Sequence, residues 1–119
     1  MLTGAFSKDW QPNGADFRAG MAPRFAGEAL AANLALVAEI EALAAVKKVD
    51  AGQVALAWVL SRGDHIVAIP GTTKLKNLES NLGAANVTFS ADEAKRLDGL
   101  AARVQGSRYN ERGMGAVNA

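Results

Sequence analysis

The chain of 119 residues has no cysteine and a single histidine. Without thiols there is neither a disulfide framework nor a thiolate metal site, which fits a reducing cytosol. The one histidine, His65, has no companions for a metal site, so a plain structural or exposed role is expected. A surplus of charge is missing too: 13 Lys plus Arg against 12 Asp plus Glu leave a formal charge of +1. Neutralising a nucleic-acid backbone needs a clustered basic surplus, so no nucleic acid partner is expected. The longest uninterrupted apolar run, 54–60, falls far short of the ~20 residues of a bilayer span. The start, MLTGAFSKDWQPNG, lacks the basic-then-apolar layout of a signal peptide. A cytoplasmic protein with no membrane partner is the expectation. No P-loop, dinucleotide-binding glycine fingerprint, H-E-x-x-H, EF-hand loop or G-x-S-x-G nucleophile elbow is present.

Half of the residues are apolar, enough for a core. Residues 1–27 scatter Gly4, Pro12, Gly14, Gly20, Pro23 and Gly27 among polar residues without a sustained period, which reads as loop. Trp10 in that loop either covers a neighbouring domain or lies loose. From Glu28 the Ala-, Leu-, Glu- and Lys-rich run spaces Leu30, Leu34 and Val37 as a helix does, with Lys47 and Lys48 in its last turn against the negative dipole end. Asp50 can cap a second helix ending at Gly63. Apolar residues surround it, so it should be packed on several sides. Ser90 and Glu93 have the spacing of a capping box, opening a last helix through Leu97 and Leu100 to about Arg103. The tail, 104–119, is Gly-rich and expected to be irregular. Tyr109 within it is expected to pack or face solvent.

The stretch HIVAIPGTTKLKNLESNLGAA, 65–85, carries the chemistry. Residues 65–69 form a β-branched apolar run without in/out alternation, the pattern of a strand buried on both faces of a parallel sheet. No second convincing strand exists in the chain, so its partners are expected to lie outside it. After Pro70 and Gly71, Thr72 and Thr73 can cap a helix with Leu75, Leu78 and Leu82 in one apolar stripe. Lys74, Asn77 and Asn81 share the same spacing on another face. A helix N-terminus beyond a strand end is where anions and cofactor phosphates bind in α/β proteins. Lys74 opposes the helix dipole there, which an anionic ligand would explain. Solvated lysines and Thr caps also begin helices that bind nothing, and both readings stand on local physics alone. Asn86-Val87-Thr88 is a formal glycosylation sequon, read as coincidence, and Asp92 with Glu93 suits helix-start capping rather than catalysis. No convincing acid, base or nucleophile appears.

IVAIPGTTKLKNLESNLGA resembles the last strand, turn and helix of the aldo-keto reductases, with their I-P-G-T/S turn. LTG near the start, PRFAGEALAANLALVAEIEALA, VALAWVLSRG, FSADEAKRLDGL and GSRYNERGM resemble, in order, the C-terminal part of bacterial members. The resemblance implies an α/β fold by family: about the last third of a (β/α)8 TIM barrel, one partial domain over 1–119. Here that means loop at 1–27, helices plus the last barrel strand at 28–103, and an irregular tail. It implies NADP(H) as cofactor and an aldehyde or ketone as substrate in a full-length context. The family's catalytic aspartate, tyrosine, lysine and histidine lie upstream of the matched region, so no catalytic residue is expected in this chain. By position, the grip on the adenosine 2′-phosphate and adenine falls to Gly71, Thr72, Thr73, Lys74, Asn77, Ser80 and Asn81. Asn77 stands where many members have Arg or Gln, and Ser80 where many have Glu. Asn cannot make the forked, charged contact of Arg, so preference for the phosphorylated cofactor rests on Lys74.

Three readings remain open: a truncated reductase, a non-catalytic cofactor or interaction module completed by a complementary chain, and a nonfunctional remnant.

Overall fold

In the computed structural model the described residues are 1–3, 6, 7, 9, 10 and 16–117; within them the side chains of Ala19 and Gly20 are not described. Gly4, Pro12 and Gly14, read above as loop formers, lie outside them. The described residues form six α-helices: α1 (Arg18–Met21), α2 (Gly27–Lys47), α3 (Ala51–Leu60), α4 (Leu75–Gly83), α5 (Ala91–Ala101) and α6 (Glu111–Gly115). Turns of 3₁₀ helix occur at Pro23–Phe25 and Ala84–Asn86. Short helices therefore interrupt both the N-terminal loop and the tail.

The core lies where α2, α3 and α5 meet. Leu36, Ile40, Leu43 and Ala44 share one face of α2 at helical spacing, and they close on Val54 of α3 and on Leu97 and Leu100 of α5. Phe89 and Trp58 pack at its edge. The α3 start is built as its sequence suggests: Gln53 Oε1 accepts from the Asp50 amide at 2.9 Å. The Ser90–Glu93 capping box forms as well, with Glu93 accepting from the Ser90 amide (2.8 Å) and Ser90 Oγ accepting from the Glu93 amide (3.2 Å). Charged pairs strap α5 down, Lys47 to Glu93 (2.8 Å), Arg103 to Glu39 (2.9 Å) and Arg62 to Asp98 (2.8 Å). Exposed pairs of this kind contribute under about 1 kcal/mol each, so they orient α5 more than they hold it. By length and composition α2 could cross a membrane. Its apolar line is instead spent on this core, as in the core helices of globular domains.

Four expectations need correction. No strand occurs among the described residues, and 65–69 is irregular. A strand's amides and carbonyls require a neighbouring strand. The Ile66 amide turns back to the Gly63 carbonyl at 2.9 Å. Val67 is 79% exposed and Ile69 92%, so residues patterned for two-sided burial lie bare. Second, α3 ends at Leu60 and not at Gly63, although its packing is as expected: none of its residues is exposed, and it lies against α2, α4 and the 84–86 turn. Third, Lys48 does not continue α2 but caps it in the left-handed conformation (φ 56°), a position that favours glycine. Fourth, the cap of α4 is Lys74, not a threonine, and no side chain caps it.

Candidate functional site

The seven residues proposed to hold a cofactor lie together, on the turn before α4 and its first two turns. Gly71, Thr72, Thr73, Lys74 and Asn77 are exposed, and Ser80 and Asn81 are half-buried. Thr72 Oγ1 accepts from the Lys74 amide at 3.1 Å, a local turn that sets the approach to the helix. The Asn77 and Leu78 amides both return to the Lys74 carbonyl, at 3.0 and 3.1 Å. The Lys74 ammonium has no ion pair among the described residues. An extended cation beside the positive end of a helix dipole is unfavourable on its own and is relieved by an anion.

Ser80 behaves differently from the others. Its hydroxyl donates to the Asp50 carboxylate at 2.9 Å, tying α4 to the start of α3. That brings a negative charge to the rear of the site, so Ser80 positions α4 rather than adding to its attraction for anions. Asp50 thus serves two elements at once, which its spacing to Gln53 alone does not reveal. A Cβ added to Gly71 would meet nothing within 4 Å. The room it leaves is open toward solvent.

Sequence reasoning missed Asn33 altogether. Its side chain is 3% exposed on α2. Nδ2 donates to the carbonyls of Arg24 (3.2 Å) and Gln105 (2.9 Å), and Oδ1 accepts from the Gln105 amide (2.8 Å). It therefore clasps the N-terminal segment to the turn after α5. An asparagine amid the apolar spacing of α2 was the available signal. Trp10 does not lie loose: its ring meets Phe6 at 5.0 Å and Phe25 at 6.0 Å, with the Arg18 guanidinium over all three rings. Asp16 holds that guanidinium, and the contact lowers the Asp16 pKa while raising that of Arg18. Among the described residues no cluster of His, Asp and Glu could hold a metal.

Comparison with known proteins bears on most of the chain. Aldo-keto reductase yakc of Schizosaccharomyces pombe, whose name specifies NADP(+), is 44% identical over 111 residues, covering 91% of this chain and 32% of the relative. Aldo-keto reductase str7 of Strobilurus tenacellus is 36% identical over 103 residues, 85% of this chain and 30% of the relative. A probable aldo-keto reductase 1 of Glycine max is 44% identical over 75 residues, 63% of this chain and 22% of the relative. The chain thus spans about a third or less of the length of the curated relatives it matches. No solved structure gives a significant match. The sequence model of the Aldo/keto reductase family matches residues 1–102, and the chain belongs to that family, whose fold is the TIM barrel.

Proposed function

We propose that the chain is the cofactor-gripping portion of a cytoplasmic NADP(H)-dependent oxidoreductase that reduces aldehydes or ketones, with the catalytic residues outside it. The Lys74 ammonium at the N-cap of α4, without an ion pair among the described residues, carries this reading. The side chains of Asn77 and Asn81 follow it on the same helix face, at the spacing that lines one side. Lys74 would neutralise the 2′-phosphate, the two amides would meet the adenosine, and Thr72, Thr73 and Gly71 would shape the approach. Ser80, through Asp50, would hold the helix in place. When bound, the cofactor supplies a hydride to a carbonyl carbon. The NADP(+) in the name of the yeast relative supports the choice of cofactor.

NADPH fluorescence titration tests the grip. Lys74→Ala should weaken NADPH binding about tenfold, the worth of one charge-assisted contact, and leave NADH almost unchanged. Asn77→Arg should strengthen NADPH binding by adding a forked donor. No NADPH binding by the unaltered chain, or an equal loss for both cofactors in Lys74→Ala, would overturn the assignment.

A second reading, a module completed by a complementary chain, is favoured by the bare side chains of Val67, Ile69, Leu75, Leu78 and Leu82. Several large apolar side chains left exposed within one stretch of chain, 67–82, are what an interaction site presents. Recovery of carbonyl reduction on mixing with a chain carrying the rest of a family barrel would distinguish it from the nonfunctional remnant.

A further inference from the structure

Away from the α4 site, a groove of about 550 Å³ runs between α2, α3 and α5 and under residues 1–3. Its floor includes Leu36, Val37, Ile40, Val59 and Leu97. Trp58 lines it too, and because its Nε1 donates to Asp98 Oδ1 at 2.8 Å, it contributes ring surface rather than a donor. Asn33 has no donor to spare for an anionic ligand, since both hydrogens of its amide go to backbone carbonyls. The exception is Arg24. It is the only charged side chain among the described lining residues, and no acidic side chain is among them.

Arg24 is also held in place. Its Nε donates to the Gly106 carbonyl at 3.0 Å, and its own carbonyl accepts from Asn33. Gly106 adopts φ +80°, and a Cβ there would press on the Arg24 backbone at 3.2 Å, so the close approach depends on glycine. The rest of the guanidinium fork has no ion pair among the described residues. A groove of this volume, apolar along its walls with one fixed polar group at its rim, has the make-up of a small-molecule site between helices.

We propose that this groove binds an amphipathic carboxylate, its alkyl or aryl tail between α2, α3 and α5 and its carboxylate on Arg24. Charge complementarity selects the occupant: an apolar tail matches the walls, and an anionic head matches the Arg24 guanidinium, which faces no acidic side chain among the described lining residues. This site is independent of the α4 assignment.

Dodecanoate is the probe, read by calorimetry and by Trp58 fluorescence in the full chain carrying Trp10→Phe, at concentrations below micelle formation. Saturable binding is expected, tighter than that of dodecanol or dodecylamine. Arg24→Gln should weaken dodecanoate about tenfold and leave dodecanol unchanged. Arg24→Lys, which keeps the charge, should retain part of the affinity even if the neutral variant disturbs the Gly106 contact. Ala101→Phe, placed at the exposed rim, should block the tail with helical circular dichroism unchanged. The assignment is overturned if dodecanoate fails to bind, if dodecylamine binds as tightly, or if Ala101→Phe leaves binding intact. Loss of binding on Leu75→Glu instead would move the ligand to the bare α4 surface and equally overturn it.

Discussion

At the scale of single residues, Asn33 contributes most to the tertiary arrangement. Three backbone groups, from Arg24 and Gln105, depend on its one side chain. Asn33→Ala leaves them without a partner in a nearly dry place, and a loss of about 2 kcal/mol is expected. Asn33→Asp should cost more, because an acceptor-only carboxylate would face two carbonyls. Urea midpoints of the three proteins test the order, and an unchanged midpoint in Asn33→Ala would show that water replaces the clasp. The clasp was hard to read in the sequence because its partners are backbone groups 9 and 72 residues away. The Ser80–Asp50 contact, 30 residues apart, was hidden for the same reason. Lys48 in the left-handed conformation carries no sequence signal either, since a lysine near a helix end fits the last turn equally well.

At the scale of elements, the capping box of α5 and its contact with α2 act together. The Lys47 ammonium, then the Ser90 amide, hold the Glu93 carboxyl below the ordinary glutamate value of 4.5. A group whose pKa is depressed by folding stabilises the fold above its unfolded value, and that contribution is lost as pH falls through the depressed value. Docking of α5 should therefore weaken as pH drops below about 4.5, and Glu93→Gln should remove that part of the acid dependence. Near-UV circular dichroism between pH 6 and 3 reads it, and an identical acid limb in Glu93→Gln would refute the link. The box was legible because both of its partners sit within one turn, Ser90 and Glu93. The run 65–69 has equally strong local character, yet it forms no strand, because a strand is a property of two segments and a helix of one.

At the scale of the whole molecule, the surface is too large for the mass. The chain exposes 8282 Å². A monomeric protein of 12.4 kDa is expected to expose about 6,100 Å². Its radius of gyration, 15.1 Å, likewise exceeds the ~13.5 Å of a well-closed domain of this length. The excess surface is larger than one partner's share, ~800 Å², of a standard interface. Large apolar side chains contribute to it: Leu75 is 71% and Leu82 66% exposed on α4, and Val67 and Ile69 lie bare before it. Self-association and broad, weakly cooperative unfolding are expected. Leu75→Glu with Leu82→Glu should shift sedimentation toward monomer and leave the α2–α3–α5 core intact. A wild-type monomer with a sharp thermal transition would contradict this account.

Whatever depends on neighbours in the chain was determined by the sequence alone. That includes the long α2, the caps of α3 and α5, the α4 stripe with Lys74, Asn77 and Asn81 on one side, and the motifs that mark the aldo-keto reductase family. Whatever depends on partners distant in sequence was decided by the tertiary structure. The same apolar spacing is buried on α2, where α3 and α5 cover it, and bare on α4, which packs on α3 while its stripe of Leu75, Leu78 and Leu82 stays exposed. The Asn33 clasp and the Arg24 groove arise where the N-terminal segment, α2 and the turn after α5 converge, and no local pattern encodes that convergence.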